Sequence, residues 1–105
     1  MASGKLGAAD LAAAADTLLY TVPASTVTTL NIRVANRNAS PIKVRVAIGS
    51  GAAPAVNDYI DYDITVGANG ALEDTGIVCS AGEKVWVRSD QANASVRIHG
   101  FEEAA

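Results

Sequence analysis

Across residues 42–48 every second residue is apolar and branched. Ile42, Val44, Val46 and Ile48 point one way, and Lys43, Arg45 and Ala47 the other. A period of two is the signature of a strand with one face in a core and one in water. A helix would need its apolar residues three and four apart. The same period recurs along most of the chain. Residues 17–22 read as a short strand stopped by Pro23, which has no N–H to give to a ladder. Residues 26–36 set Leu30, Ile32 and Val34 against Thr29, Asn31 and Arg33. Residues 58–66 set Ile60, Tyr62, Ile64 and Val66 against Tyr59, Asp61, Asp63 and Thr65. A weaker strand at 71–79 is interrupted at Gly76, where a bulge is expected, and 84–88 and 94–101 complete the series.

Turn-forming clusters separate these runs. They include Asn36-Arg37-Asn38-Ala39-Ser40-Pro41, Gly67-Ala68-Asn69-Gly70 and Ser80-Ala81-Gly82-Glu83. The loop at 49–57 is long enough to cross from one sheet to another. About seven short strands with no helical segment between them exclude parallel βαβ units. They predict an all-β, antiparallel β-sandwich, with jelly-roll and immunoglobulin-like topologies equally compatible. The chain has 105 residues, half of them hydrophobic but only 5% aromatic, and Ala and Val dominate. One thin core of branched aliphatic side chains is therefore expected, in a single domain spanning 17–105. Residues 1–16, rich in Ala and Gly, lack strand character. They are expected to form an extended N-terminal arm that is flexible or orders on a neighbouring subunit, with Leu11 as its large apolar contact.

The formal net charge of −3 argues against a dedicated nucleic-acid binder, which would concentrate basic residues. No apolar run reaches the roughly 18 residues of a membrane helix, and the first residues make a poor signal peptide. The expectation is a soluble product of a reducing cytoplasm. Cys79 is the only cysteine, so an intrachain disulfide is impossible and a buried, inert thiol is expected.

One His and one Cys leave a zinc site without ligands, and nucleophile, phosphate-loop and dinucleotide motifs are missing. The sequence thus offers no catalytic residue, cofactor or metal, and predicts a protein that is not an enzyme. His99 shares a strand face with Arg97 and is expected to face solvent. Asp61 and Asp63, two apart on a strand, should leave the same face. Paired carboxylates serve as acid and base or bind calcium, but no calcium loop surrounds these, and an exposed acidic face or an intersubunit salt bridge is the expectation. Glu73 and Asp74 are read in the same way. Arg33, Lys43, Arg45, Lys84, Arg88 and Arg97 all fall on polar sides of strands and would form a basic surface if those sides share one sheet. Trp86 is out of phase with Val85 and Val87. It should lie on the outer face between Lys84 and Arg88, exposed as an interface anchor or packed under the arm or a loop. Tyr59 raises the same question. Leu11, Tyr59, Asp61, Asp63, Trp86 and Arg88 are the candidate interface residues.

Several stretches in order carry a resemblance. Leu19-Tyr20-Thr21-Val22-Pro23-Ala24 precedes a strand, Asn36-Arg37-Asn38 and Val44-Arg45-Val46-Ala47-Ile48. Then come Asp58-Tyr59-Ile60-Asp61-Tyr62-Asp63, Leu72-Glu73-Asp74-Thr75-Gly76-Ile77 and Ser80-Ala81-Gly82-Glu83-Lys84-Val85. From about Thr17 onward the series resembles small virion structural proteins of tailed bacteriophages. The resemblance implies a homo-oligomer located in the virion and made in the host cytoplasm. Its partners would be the phage major capsid protein or other virion proteins, with no nucleic acid and no membrane. Capsid cement or decoration is the first expectation and a collar or tail component the second. A carbohydrate- or receptor-binding module is the alternative of another class.

Overall fold

A computed structural model describes all residues, 1–105. Its strands are β1 (Ser3–Leu11), β2 (Thr17–Thr21), β3 (Thr26–Asn36), β4 (Ile42–Gly49), β5 (Tyr59–Val66), β6 (Ala71–Cys79), β7 (Lys84–Ser89) and β8 (Ala94–Ala104). A single 3₁₀ turn, Val56–Asp58, precedes β5. Two four-stranded antiparallel sheets form, in the orders β1-β8-β3-β6 and β2-β7-β4-β5. The smallest dimension is 19 Å, which suits two layers about 10 Å apart.

The β-sandwich expectation holds, with eight strands instead of seven. Strand order also decides between the two topologies. Every connection except β4–β5 carries the chain from one sheet to the other, and the resulting pair of orders is that of a jelly roll. The long 50–58 loop therefore does not cross between sheets as expected. It closes the one hairpin that stays within a sheet, while the short Gly67–Gly70 turn carries the chain from β5, at the edge of one sheet, to β6, at the edge of the other.

The additional strand comes from the segment expected to be an arm. Ser3–Leu11 pairs with β8 along its length, from Ser3 opposite Phe101 to Leu11 opposite Ala94. Poor intrinsic strand propensity is overridden here by a complete ladder on one side and by burial of Leu11, which is 2% exposed. Small residues serve a purpose in this strand. A Cβ at Gly7 would stand 2.5 Å from the Leu19 carbonyl oxygen, so only glycine lets β1 lie this close to β2.

The core is thin and aliphatic, as the composition predicts. Leu30, Ile32 and Val34 of β3 meet Ile42, Val44 and Val46 of β4, with Val85 and Val87 of β7 and Val96 and Ile98 of β8. Cys79 is among them, and burial pushes its thiol up to about 11, so it stays protonated and unreactive. Two polar clusters hold the ends. Buried Asn36 donates through Nδ2 to the carbonyls of Ser40 (2.9 Å), Val66 (3.2 Å) and Gly67 (3.0 Å), and its Oδ1 accepts the Asn38 N–H at 2.9 Å. At the opposite end the Tyr20 hydroxyl donates to Glu102 at 2.5 Å and lies 2.7 Å from the Thr28 hydroxyl. Glu102 also accepts the Ala2 N–H at 2.9 Å, which pins the start of the chain to β8.

Candidate interaction face

The outer face of the β2-β7-β4-β5 sheet brings together most of the residues singled out from the sequence. Adjacent register pairs set Leu18 of β2 beside Trp86 of β7, Trp86 beside Ala47 of β4, and Ala47 beside Tyr59 of β5. Small Ala47 leaves room between two large aromatics. Trp86 does point away from the core, as its phase requires, yet it is only 4% exposed. It is not a free anchor. Lys84, on the same side of β7, donates to the Gly51 carbonyl at 2.9 Å, so the loop after β4 folds back over this part of the sheet.

Beyond this covered row the face is open. Tyr59 and Tyr62 meet edge to face, with centroids 5.1 Å apart and planes at 84°. The Arg45 guanidinium lies 4.1 Å from the centre of the Tyr62 ring. The same guanidinium forks onto Asp63, through Nε at 2.7 Å and Nη2 at 3.2 Å. That fork holds the Asp63 carboxyl below its usual range and raises Arg45 still further above its own. Arg88 stands opposite Arg45 in the register and adds positive charge near Asp63. Tyr62 is 56% exposed and Val56, at the rim, 93%. Together with Tyr59 they line a shallow depression of about 360 Å³.

Asp61 is absent from this face. Register shifts flank Val46 on β4, and Asp63 adopts a left-handed backbone with φ of 53°. The bulge breaks the period of two, so Asp61 pairs with core-facing Val46 and points inward, while Asp63 points out to Arg45. The expectation that both carboxylates leave one face is therefore corrected. A second bulge at Gly76, with φ of 66°, sits on the facing edge strand, where Asp74 pairs with core-facing Ile32. Asp61 and Asp74 consequently meet between the sheets. One oxygen of each is withdrawn from solvent with no donor in reach. Burial, then the neighbouring Asp61 carboxyl, push Asp74 up to about 7. No third carboxylate, histidine or cysteine joins the pair.

The remaining sites disperse. Leu11 lies inside its own domain's core. The basic residues divide between the two sheets, with Lys43, Arg45, Lys84 and Arg88 outside one, and Arg33 and Arg97 outside the other. His99 faces out beside Arg97, but it is half-buried, not fully solvated. Sequence reasoning missed Tyr62 and Val56. Strict alternation assigned Tyr62 to the inner face, and only the bulge turns it out. No family, curated protein or solved structure matches this chain.

Proposed function

We propose that this chain is a non-enzymatic structural protein of a bacteriophage particle, one that oligomerises and seats on the capsid as a cement or decoration protein. The observation that carries the docking role is Tyr62, half-exposed, braced edge-on by Tyr59 and covered on one side by Arg45. Tyr and Arg are over-represented among residues that dominate binding energy, and a ring already held by its neighbours loses little freedom on docking. The jelly roll supports the reading without deciding it, since viral capsid and lectin domains both use it. The assignment to a phage particle rests on the sequence resemblance. Mass spectrometry of purified particles tests it: the protein should be present in hundreds of copies, and its absence would refute the assignment. A ring-sized copy number would move it to the collar or tail.

The same rings favour one second reading, a carbohydrate-binding module in which Tyr62 stacks on a sugar with the Arg45–Asp63 fork beside it. A glycan array separates the two. Saturable sugar binding lost in Tyr62→Ala would establish this reading, and an empty array would remove it.

A further inference from the structure

We propose that the outer face of the opposite sheet, β1-β8-β3-β6, is a docking groove for an extended acidic segment of a partner protein. The groove is a broad, shallow depression of about 660 Å³, and Ser3, Gly4, Ala35 and Ser95 keep its lining low. Two arginines line it and a lysine stands on the neighbouring strand. Arg33 of β3 and Arg97 of β8 are direct cross-strand partners, and Lys5 of β1 is opposite His99 on the other side of β8. Like charges placed directly opposite in a sheet destabilise it, so the fold carries a repulsion here that a bound carboxylate would relieve.

The groove already shows what it accepts. Glu73 of β6 approaches Arg33 at 3.4 Å, with both side chains about half exposed. Arg97 and Lys5 have no such partner, since the three ion pairs of the chain use Arg33, Arg37 and Arg45. His99 adds a shielded Nδ1 that bonds to nothing within the chain. Two guanidinium forks side by side suit planar carboxylates. Phe101, 45% exposed, closes one end and offers an apolar contact to a neighbouring side chain of the same segment.

Size and surroundings select a peptide over a polyanion. Asp10 stands opposite Ser95 at one limit and Glu103 lies beyond Phe101 at the other, so the positive stretch is short. The chain as a whole is negative and would repel a long phosphate backbone. A segment with alternating Glu and apolar residues, lying as a strand, would place its carboxylates toward the arginines.

This proposal does not depend on the phage assignment, and its test uses the purified chain alone. A short fluorescein-labelled peptide of alternating Glu and Leu is titrated with the full-length protein at low and physiological salt, read by anisotropy. Saturable binding that weakens with salt is expected. Arg97→Glu should lower the affinity by about tenfold or more, and Tyr62→Ala should leave it unchanged. Arg97→Gln, which keeps size without charge, should fall between them and melt like the parent chain. Absence of saturable binding, or equal binding by Arg97→Glu, would overturn the proposal. So would equally tight binding of a single-stranded oligonucleotide of the same charge. Self-association that competes with the peptide and is lost in Arg97→Glu would replace the partner segment by a second copy, and would overturn it in that form.

Discussion

Asp61 and Asp74, from the edge strands of the two different sheets, meet face to face along the β5–β6 side of the sandwich. The inward neighbours that surround them are apolar. Val44 and Val46 come from β4, Leu30 and Ile32 from β3, and Leu72 and Ile77 from β6. Arg45 with Asp63 and Arg33 with Glu73 leave from the outer faces of the same sheets. None of the ion pairs of the chain involves either carboxyl.

The pair makes stability fall as pH rises. Asp74 stands near 3.8 in an unfolded chain and at about 7 in the folded one. The folded state therefore binds more protons between those values. Its contribution is complete below pH 4 and is lost as pH rises to 7. Asp63 and Glu102 are displaced the other way, so their contributions decline only as pH falls below the ordinary carboxylate range. The window from 4 to 7 thus belongs to Asp74. A dry site would give about 4 kcal/mol for such a displacement. Solvent at this edge screens it to about 1 kcal/mol. Urea midpoints measured across the window should fall for the parent chain and stay flat for Asp74→Asn, which should be the more stable protein at pH 8. Parallel curves for the two proteins would refute the pairing.

Asn36 gives a prediction of the opposite kind, a single polar side chain whose loss unties two turns. Its amide serves the carbonyls of Ser40, Val66 and Gly67, and its oxygen orders the Asn38 N–H. Asn36→Ala removes the donor that these carbonyls share at a site 2% exposed, and Gly67 keeps another, the Gly70 N–H at 2.9 Å. A loss of about 2–3 kcal/mol is expected. Asn36→Asp, which keeps the size but removes the donors and adds charge, should be at least as damaging. A thermal midpoint within a degree or so of the parent for either variant would count against this.

How much of this was legible beforehand depends on whether the cause was local. The alternation at 42–48 survives intact, since Ile42, Val44 and Val46 fill the core and Arg45 faces out. At 58–66 the same reasoning fails within one strand. The bulge at Asp63 is a two-strand event, created by β4 offering fewer residues than β5, and nothing in the single segment announces it. That one shift moves Asp61 into the interior and Tyr62 out of it. Gly76 was readable as a bulge because glycine marks positive φ, whereas Asp63 carries no such mark. Trp86 shows the third case. Its outward phase was correct, but the side chain is only 4% exposed, and the neighbouring Lys84 reaches Gly51 in a loop more than thirty residues away.

Trp86 accordingly behaves as a structural residue. Removing a side chain this large from a site 4% exposed should cost about 3 kcal/mol, even though it lies outside the main core. Trp86→Ala is expected to lower the denaturation midpoint sharply, while Tyr62→Ala, on the open part of the same face, should stay within about 0.5 kcal/mol of the parent. If the two variants were equally stable, the burial of Trp86 would be wrong.

The first strand supplies the last prediction, and it reverses what residues 1–16 suggest by composition. An arm could be removed without harm to the domain. Deleting Ser3–Leu11 instead strips the ladder from one whole side of β8, withdraws Leu11 from the core and frees Glu102 from the Ala2 N–H. An uncovered β8 presents unpaired N–H and C=O groups to other molecules, which is the usual route to edge-to-edge aggregation. The truncated chain should therefore aggregate, or melt without cooperativity, where the parent is a single sharp transition. Leu11→Ala separates packing from pairing. It keeps the backbone ladder and removes only the side chain, so a loss of about 2–4 kcal/mol with a folded, unaggregated protein is expected. Size-exclusion profiles and thermal melts of the two variants decide the matter. A truncated chain that runs and melts like the parent would return these residues to the status of an arm.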